Sequence, residues 1–530
     1  MFRSTVQRLP LPSSQCVARR FIATQTTPIR TKTTAVDPDS LWSTSDWSPA
    51  QVRPYKDKST LELLNSYTVF KLCEFPPLVS MTPMMINIAE KTGTKFVMNG
   101  VVKNTFFKHF CGGETISEVL PTMTKLKSRN MGSILDLAME ADMDADADPT
   151  PAKAKEVSTH ILNLMKESVD IAAENPGSFI AAKVTAYVPP TVLLRWTNTL
   201  KLVEDAFLAA KDSEGFTSRA KLLGELNKTF PALKASHLSS LGKDESAKLD
   251  WISVSDYFTF ANTAIRSGIL TTLPKGTNEL LQPVSSATDF ETLDLVFADL
   301  DALFTHGAKQ QVKIMVDAEQ TYFQRAIDDV ALELSRRYNR NGDVVCFNTY
   351  QQYLKDGLHR MKLDIERAER AGWTFGCKIV RGAYMVSERE RAAEMGYADP
   401  INATIADTHA SYNAAIDHLL SKLPQKIEFV IASHNKGSVA KTVAAMQKSG
   451  VPADSKQIAF AQLMGMQDGT SFALAKNGYR CFKYVPYGPI DVTIPYLLRR
   501  AQENSSVLGG VGEDKRELVA EIKRRAGAKN

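Results

Sequence analysis

The segment YLLRRAQEN, residues 496–504, places two adjacent arginines one helical turn before a glutamate. On a helix, Arg499 and Arg500 lie four and three residues before Glu503, and Tyr496 precedes both arginines by one turn, so these groups share one face. On a solvated surface such ion pairs contribute only about 0.3–0.5 kcal/mol each. In a cavity shielded from water, the same two guanidinium groups form a fork for a carboxylate, with about 1.5–3 kcal/mol from each charge-assisted hydrogen bond.

Further candidate site residues lie on or just after the segments that we predict as strands. Several are lysines or arginines in apolar surroundings, where an unpaired charge is costly to bury. The candidates are Lys183, Asp317, Glu319, Gln351, Lys378, Arg381, Gly382, Tyr384, Ser433, His434, Asn435, Leu463 and Tyr484. Asp317 is one anionic partner, but the excess of cations indicates a bound anion, such as a phosphate-bearing cofactor or a substrate carboxylate.

Eight short apolar or β-branched segments alternate with amphipathic stretches such as TYFQRAIDDVALELSRRY, residues 321–338. Strands that alternate with helices form parallel βα units, and eight units predict an α/β fold, a closed (β/α)₈ TIM-like barrel. In such a barrel the carboxyl ends of the strands form the active site, which brings the candidates above to one mouth. The predicted strands are residues 132–141, 178–187, 312–319, 344–351, 374–384, 426–434, 457–465 and 479–486.

Helical regions accompany the predicted barrel of residues 126–510. We expect an N-terminal helical region over residues 37–125. Residues 190–311 are too many for one helix and contain stretches such as SRAKLLGELNKTF, so they predict a helical insertion between strands 2 and 3. Residues 511–530 predict a basic amphipathic helix that either contacts anionic lipid or is solvated.

The distribution of charge argues against a nucleic-acid partner. The net charge is +5 at pH 7, but residues 1–36 hold six basic residues and no acidic residue, which leaves −1 for the remainder. A nearly neutral body lacks the broad positive surface that binds phosphate backbones. The basic, hydroxyl-rich and acid-free leader is typical of a mitochondrial transit peptide, with a disordered tail as the alternative.

Several common motifs are incomplete or absent. DMDADADPTPAK, residues 142–153, begins like a calcium loop, but Ala147 replaces the turn glycine and Lys153 the final glutamate. No G-x-G-x-x-G follows a predicted strand, and no P-loop or His-Glu-x-x-His motif occurs, so we predict no metal site. The five cysteines outside the leader show no Cys-x-x-Cys spacing, which favours free thiols. No apolar run reaches the ~18 residues of a membrane span.

Six segments between residues 95 and 508 occur in one characteristic order: FVMNGVVKNTFFKHFCGGET, IMVDAEQTYFQRAI, CKIVRGAYMVSERERAAEMGY, IASHN, KYVPYGP and YLLRRAQEN. On these segments the chain resembles the proline dehydrogenases, or proline oxidases, of the eukaryotic mitochondrial type. The resemblance implies a distorted (β/α)₈ barrel with noncovalent FAD. It also implies oxidation of L-proline to Δ1-pyrroline-5-carboxylate and transfer of the electrons to the respiratory quinone pool, with ubiquinone as the acceptor.

The resemblance implies roles for individual residues. Arg499, Arg500 and Lys183 hold the substrate carboxylate, and Glu503 supports them. Asp317 organises the cationic cluster. The walls around the pyrrolidine ring are Tyr384, Leu463, Tyr484 and Tyr496. The residues that line the flavin are Gln351, Lys378, Val380, Arg381, Gly382, Ser433, His434 and Asn435.

Two of these positions bear on the details of the reaction. The bacterial bifunctional members carry arginine where this chain has Lys378, which leaves flavin tuning and oxygen reactivity open. Related hydroxyproline oxidases have a small residue where this chain has Tyr484, whose ring is expected to crowd a hydroxyl at C4, so we expect proline as the substrate. The chain has no room for the aldehyde dehydrogenase half of the bifunctional proteins, so the product passes to a separate pyrroline-5-carboxylate dehydrogenase.

Three alternatives remain open from the sequence. The first is a hydroxyproline dehydrogenase. The second is a Schiff-base lyase on a similar barrel, with Lys183 as nucleophile. The third is a non-catalytic scaffold, which would bind no flavin and whose melting would not respond to proline. For the flavoenzyme we expect a mitochondrial location and, at most, peripheral contact with the inner membrane.

Overall fold

The computed structural model describes residues 41–42, 47–139, 149–175, 177–242, 244, 246–271, 278–423, 426–506 and 510–527. The predicted transit peptide, residues 1–36, and most of the acidic segment 142–153 lie outside the described residues. Within the described part no helix is long and apolar enough to cross a bilayer. Cys73, Cys111, Cys346, Cys377 and Cys481 are buried free thiols.

Eight parallel strands close into a barrel in sequence order, which confirms the predicted fold class. The closure is the pairing of β8 with β1, in register from Gly132 opposite Phe482 to Leu137 opposite Tyr487. The strands are β1 (Gly132–Leu137), β2 (Phe179–Ala182), β3 (Lys313–Val316), β4 (Cys346–Gln351), β5 (Phe375–Val380), β6 (Ile427–Ala432), β7 (Ile458–Leu463) and β8 (Cys481–Tyr487).

Helices precede the barrel, connect its strands and follow it. Before β1 lie α1 (Pro49–Val52), α2 (Thr60–Cys73), α3 (Pro76–Lys91), α4 (Lys95–Val102), a π-helical turn (Lys103–Phe107), α5 (Lys108–Phe110) and α6 (Ile116–Lys127). From β1 to β3 lie α7 (Pro151–Ala173), α8 (Pro190–Ala210), α9 (Arg219–Leu226), α10 (Trp251–Tyr257), α11 (Arg266–Ile269) and α12 (Ala287–Lys309), with 3₁₀ turns at Val184–Ala186, Ala235–Leu238 and Glu279–Leu281. The later helices are α13 (Thr321–Tyr338), α14 (Gly357–Ala371), α15 (Met385–Met395), α16 (Ile405–Ser421), α17 (Lys436–Lys448), α18 (Asp468–Lys476), α19 (Ile490–Ser506) and α20 (Gly510–Arg525).

The barrel interior is filled by large apolar side chains from alternate strands. The ring of Phe179 on β2 meets the rings of Phe347 on β4 and Phe482 on β8 edge-on, at centroid distances of 5.5 and 4.9 Å. Such edge-to-face contacts contribute about 0.5–1.5 kcal/mol beyond the area that they bury. This packing closes the lower barrel and leaves the carboxyl ends of the strands to form a cavity.

The helices between β2 and β3 confirm the predicted insertion. The two long helices at its ends cover the barrel, since α8 packs on α13 and α12 packs on α7. Shorter helices, α9 to α11, lie between them in the chain. The insertion therefore adds helices to an ordinary βα unit and leaves the order of the strands unchanged.

Six of the eight predicted strands extend too far at their carboxyl ends, the exceptions being β4 and β8. The segment predicted as 178–187 ends as a strand at Ala182, so Lys183 follows β2, and the segment predicted as 312–319 ends at Val316, so Asp317 and Glu319 follow β3. Apolar and buried residues continue past the last ladder pair because they line the cavity, and the alternation of the sequence does not mark that transition.

The N-terminal and C-terminal helices pack against each other. Leu63 and Phe70 of α2 and Tyr55 form one cluster with Leu518 of α20, which is 0% exposed. Arg525 donates a hydrogen bond to the backbone carbonyl of Lys58 at 2.8 Å. The apolar side of the C-terminal helix therefore faces protein, which argues against its predicted contact with lipid.

Candidate active site

One cavity of about 700 Å³ lies at the carboxyl ends of the strands. It is of the size that holds small organic ligands and cofactors. Glu319, one of the eighteen candidates singled out from the sequence, is not among the lining residues. The other seventeen candidates all line the cavity. They are Lys183, Asp317, Gln351, Lys378, Val380, Arg381, Gly382, Tyr384, Ser433, His434, Asn435, Leu463, Tyr484, Tyr496, Arg499, Arg500 and Glu503.

The helix that follows β8, α19, contributes the arginine pair. Nη2 of Arg500 donates to Oε1 of Glu503 at 2.6 Å, and the Arg500 guanidinium lies 5.0 Å from the centre of the Tyr496 ring. The guanidinium of Arg499 lies 5.3 Å from the centre of the Tyr384 ring. Each cation is thus held over an aromatic face, within the ~6 Å range of cation–π attraction.

Two polar atoms of this group have no hydrogen-bond partner among the described residues: Nε of Arg500 and the hydroxyl of Tyr496. Both atoms are buried, and the Arg500 side chain is only 6% exposed. A buried donor without a partner costs about 1–3 kcal/mol, so native structures rarely keep one without a ligand or water. The arrangement therefore indicates that a polar ligand binds at this helix.

Asp317, just after β3, joins two other strands of the barrel. Its carboxylate accepts a hydrogen bond from Nζ of Lys378 on β5 and another from the Tyr484 hydroxyl on β8, the latter at 2.5 Å. Burial alone would raise the pKa of Asp317, but the charges of Lys378 and Lys183 lower the pKa below its ordinary value. Burial, together with nearby carboxylates, raises the pKa of Tyr484 well above its usual range, so Tyr484 is a neutral donor.

Lys183 has a carboxylate partner that the sequence reasoning missed. Its ammonium forms a hydrogen-bonded ion pair with Asp136 on β1, and the Asp136 side chain is 1% exposed. A usable signal was present, because a buried lysine requires an anion and Asp136 is the only acidic residue of β1. The ion pair favours a protonated Lys183, which argues against its predicted alternative role as a Schiff-base nucleophile.

Arg381, in the loop after β5, is a further cation of the cavity. Its guanidinium donates to the hydroxyls of Ser433 at 2.6 Å and Ser438 at 2.9 Å, and it lies 4.2 Å from the centre of the Tyr412 ring. Burial lowers the pKa of Arg381. Arg381 forms no ion pair with a carboxylate in the part of the chain that the structure describes, so its charge is available to an anionic ligand.

His434, which follows β6, has a defined tautomeric state. Nε2 of His434 accepts a hydrogen bond from the backbone N–H of Leu463 at 3.1 Å. Burial, with the charges of Lys483, Arg500 and Arg381, lowers the pKa of His434 to about 3. The ring is therefore neutral at physiological pH, with its proton on Nδ1, which makes it a hydrogen-bond donor at that atom.

The loop after β5 depends on a glycine. Gly382 has φ +133°, a conformation that other residues rarely adopt, and a Cβ at this position would lie 2.3 Å from the ring of Tyr353. The neighbouring strand end is tied by Gln351, whose Nε2 donates to the carbonyl of Glu319 at 2.7 Å. These contacts fix the backbone that carries Val380 and Arg381.

The far end of the cavity is lined by the C-terminal helix, which the sequence reasoning did not place there. The carboxylate of Asp514 on α20 accepts hydrogen bonds from the backbone N–H of Gln467 at 2.7 Å and from the Tyr55 hydroxyl at 3.3 Å. Burial, and then the charge of Asp468, raises the pKa of Asp514 to about 7. Burial, and then the charge of Asp514, raises the pKa of Glu517 to about 8.

The described residues contain no group of three or more His, Cys, Asp or Glu side chains placed to hold a metal ion. In the described part of the chain, the charged side chains that line the cavity are six basic residues, Lys183, Lys378, Arg381, Lys436, Arg499 and Arg500, and five acidic residues, Asp136, Asp317, Glu503, Glu513 and Asp514. Such a site can bind an anion and shield the adjacent part of the ligand from water, which suits chemistry that depends on the positioning of the reactants.

Comparisons with known proteins agree with this geometry. This chain superposes on proline utilization A (PutA) from Bdellovibrio bacteriovorus inactivated by N-propargylglycine with a TM-score of 0.54 and 17% identity. The match covers 90% of this chain and 41% of that one, so this chain spans about two-fifths of the length of that protein. At that identity the likeness concerns the fold. Among sequences, human proline dehydrogenase 1, mitochondrial, is 30% identical over 605 residues, covering 98% of each chain. The hydroxyproline dehydrogenase of Bos taurus is 39% identical over 231 residues, covering 43% of this chain and 50% of that one.

The sequence profile of the family described as proline dehydrogenase matches residues 119–513. This range starts in α6, includes the whole barrel and ends in α20, so it contains every cavity residue discussed above except Asp514. By this match and by the near full-length likeness to the human enzyme, the chain belongs to the proline dehydrogenase family.

Proposed function

We propose that this chain is a mitochondrial, FAD-dependent L-proline dehydrogenase that forms Δ1-pyrroline-5-carboxylate and passes the electrons to ubiquinone. Family membership supports an oxidoreductase that acts on proline. The mitochondrial relatives and the composition of residues 1–36 support the location. The remaining steps rest on the residues of the cavity.

The observation that carries the proposal is the arginine pair on α19 inside the cavity. Nε of Arg500 and the Tyr496 hydroxyl have no partner among the described residues. A carboxylate is the ligand that a guanidinium fork matches best, because two parallel N–H donors meet its two oxygens. Proline has one carboxylate and no other strong handle, so Arg499 and Arg500, with Lys183, orient the whole molecule.

The walls of the cavity complete this orientation. Tyr384 and Tyr496 are held beside the arginines by cation–π contacts, and Tyr484 is held by its hydrogen bond to Asp317. Together with Leu463 they present an apolar surface to the pyrrolidine ring. Positioning of this kind can supply much of a rate enhancement, since hydride transfer requires the donor carbon within about 3–3.5 Å of its acceptor.

A second group of cavity residues fits a flavin dinucleotide. Arg381 supplies a positive charge without a carboxylate partner among the described residues, and neutral His434 supplies a donor at Nδ1. A pyrophosphate needs a positive charge such as that of Arg381, and the polar edge of a flavin can accept a hydrogen bond from Nδ1 of His434. Gln351, Lys378, Val380, Gly382, Ser433 and Asn435 are the further residues proposed to line this cofactor. When bound, FAD supplies the acceptor for a hydride from C5 of proline, at its N5 atom.

The charges of the site favour the reactive form of the substrate. Six basic and five acidic side chains of the described residues line the cavity, so the carboxylate of proline offsets the excess positive charge. A protonated amine would restore an uncompensated positive charge in a buried site, which lowers the pKa of that amine. The neutral amine, with its lone pair available, assists loss of the hydride from the adjacent carbon.

Hydroxyproline is the second candidate substrate, because hydroxyproline dehydrogenases are among the similar proteins. Tyr484 favours proline. Its hydroxyl is fixed on Asp317 at 2.5 Å, so the ring cannot easily turn away from a substituent at C4. A ring held in this way favours the unsubstituted substrate.

The test is the absorption spectrum of the purified protein, followed by addition of proline without oxygen. We expect flavin bands that bleach with L-proline and do not bleach to the same extent with hydroxyproline. A colourless protein that is trapped covalently by borohydride with a carbonyl substrate would support the Schiff-base lyase. A colourless protein whose melting temperature ignores proline would support the scaffold. The product is expected to leave for a separate pyrroline-5-carboxylate dehydrogenase.

A further inference from the structure

Helix α3 turns an apolar stripe to solvent. Met81, Met84, Met85 and Ile88 follow helical spacing and so share one face, and each is between 45% and 61% exposed. An amphipathic helix on a globular protein normally buries this stripe against the core. Here the stripe points outward.

Helix α4 continues the exposed apolar surface. Phe96, Val97 and Val101 are between 52% and 76% exposed, and α4 packs directly against α3. Phe75, which precedes α3, is also exposed. Phe75, the four residues of α3 and the three residues of α4 together form what we call the apolar face. Its eight residues are Phe75, Met81, Met84, Met85, Ile88, Phe96, Val97 and Val101. A contiguous exposed apolar surface of this kind marks an interaction site.

Lysines surround the apolar face. Residues 71–108 contain five lysines and two glutamates and no arginine or aspartate, a net charge of +3. Lys71 pairs with Glu74, and Lys95 with Glu90 and Asp491. Lys91 and Lys108 form no ion pair within the described ranges. Apolar and aromatic side chains bordered by uncompensated lysines are the composition of a helix that lies in the interface of an anionic membrane.

We propose that the apolar face docks this protein on the surface of a bilayer that contains anionic lipid. A second copy of the chain fits less well, because a symmetric dimer places the same lysine-bordered surface on both subunits and so brings positive charge towards positive charge. Anionic headgroups instead neutralise these ammonium groups while the methionines, phenylalanines and valines enter the acyl boundary.

The apolar face is connected to the helix that carries the arginine pair. Helix α3 packs on α19. At the start of α19, Asp491 accepts a hydrogen bond from Nδ2 of Asn99 at 3.0 Å and pairs with Lys95 at 3.3 Å. Docking through α3 and α4 therefore places the substrate-binding helix next to the bilayer. This inference rests on the proposed function, in which a lipid-soluble quinone accepts the electrons.

The experiment is co-sedimentation of the full chain with vesicles of phosphatidylcholine containing a minor fraction of phosphatidylglycerol. We expect the Met84→Glu/Ile88→Glu variant to bind at least about tenfold more weakly than the unaltered chain, because it brings two charges into the acyl boundary. We expect Lys91→Gln and Lys108→Gln each to weaken binding about fivefold on these vesicles. The lysine variants should match the unaltered chain on vesicles of phosphatidylcholine alone.

A matched control carries the same chemical change elsewhere. Val157 on α7 and Leu208 on α8 are exposed to a similar degree, and Val157→Glu/Leu208→Glu should bind vesicles like the unaltered chain. Undiminished vesicle binding by Met84→Glu/Ile88→Glu would overturn the proposal. Absence of vesicle binding by the unaltered chain would also overturn it. That outcome includes the case in which sedimentation velocity shows a dimer that Met84→Glu/Ile88→Glu dissociates.

The readouts separate this inference from the proposed function. Bleaching of the flavin by proline is measured without vesicles, and the Glu variant should retain it, since Met84 and Ile88 do not line the cavity. If proline does not bleach the flavin bands of the unaltered chain, the proposed function is refuted and the vesicle result stands. Bleaching without vesicle binding would refute only the docking surface.

Discussion

Replacing Arg500 by methionine tests the carboxylate grip most directly. Methionine keeps much of the length and apolar stem of arginine, so packing against Tyr496 is largely retained. The change removes the guanidinium that contacts Glu503 at 2.6 Å and whose Nε has no partner in the described structure. What is lost is therefore mainly the bond to the ligand and the ion pair beneath it.

The expected magnitude follows from the burial of this group. A charge-assisted hydrogen bond shielded from water contributes about 1.5–3 kcal/mol, and each ~1.4 kcal/mol is tenfold in affinity. One lost bond thus raises KM for proline by about 10- to 100-fold, and two lost bonds by about 100-fold or more. Flavin content should not change, because Arg381, the proposed partner of the pyrophosphate, is held by Ser433 and Ser438 rather than by Arg500.

The assay is anaerobic reduction of the flavin followed by stopped flow over a range of proline concentrations. Arg524→Met is the matched control, because Arg524 also pairs with a glutamate three residues away but is 49% exposed. The double variant Arg500→Met/Glu503→Gln separates loss of the grip from the cost of a buried, uncompensated Glu503. If it recovers stability but not KM, the arginine acts on the ligand.

The reasoning is refuted if Arg499→Met and Arg500→Met both leave the proline dependence of flavin reduction unchanged. An equal rise of KM in Arg524→Met would also refute it, since that residue lies outside the cavity. Loss of flavin from Arg500→Met would move the residue from the substrate side of the site to the cofactor side.

Three further predictions concern single residues. Tyr484→Ser is expected to raise kcat/KM for hydroxyproline relative to proline, and an unchanged ratio would remove Tyr484 as the determinant of substrate choice. Asp136→Asn leaves Lys183 as a buried charge without its ion-pair carboxylate, so it should lower the free energy of unfolding by about 3–5 kcal/mol. The double variant Asp136→Asn/Lys183→Met should recover part of this loss. Denaturant unfolding without proline measures both variants. The pKa of Asp514 is about 7 in the folded chain and has an ordinary value of 3.8. Between these two pH values the folded chain therefore holds a proton on Asp514 that the unfolded chain has released. Its contribution to stability is then complete below about pH 4 and is lost as the pH rises through about 7; Asp514→Asn should flatten this slope in melting temperatures measured across that range.

Periodicity was sufficient to predict the barrel. Eight apolar segments separated by amphipathic stretches predict parallel βα units, and the closed barrel has those eight strands in sequence order. The same periodicity placed the ends of β2 and β3 too late. Strand pairing ends where the ladder partner ends, as at Ala182 and Val316, and a single segment carries no information about the length of its partner.

The candidate site was also largely predicted, because buried charges are conspicuous in apolar segments. Lys183, Lys378 and Asp317 stand out for this reason. Their pairing did not follow from the sequence: Lys183 meets Asp136, and Lys378 meets Asp317. Adjacent strands lie close in space but far apart in the chain, so which carboxylate faces which ammonium depends on the register of the closed barrel.

The amino-acid sequence by itself determined the eight βα units, the helical insertion and the residue types that we propose to hold a carboxylate and line a flavin, because these properties are local or periodic along the chain. The tertiary structure alone decided that Asp514 of the last helix lines the same cavity, that Leu518 is buried against α2, and that the methionines of α3 face solvent. An amphipathic pattern states that a helix has an apolar side, but the neighbours that cover or expose that side come from distant parts of the chain.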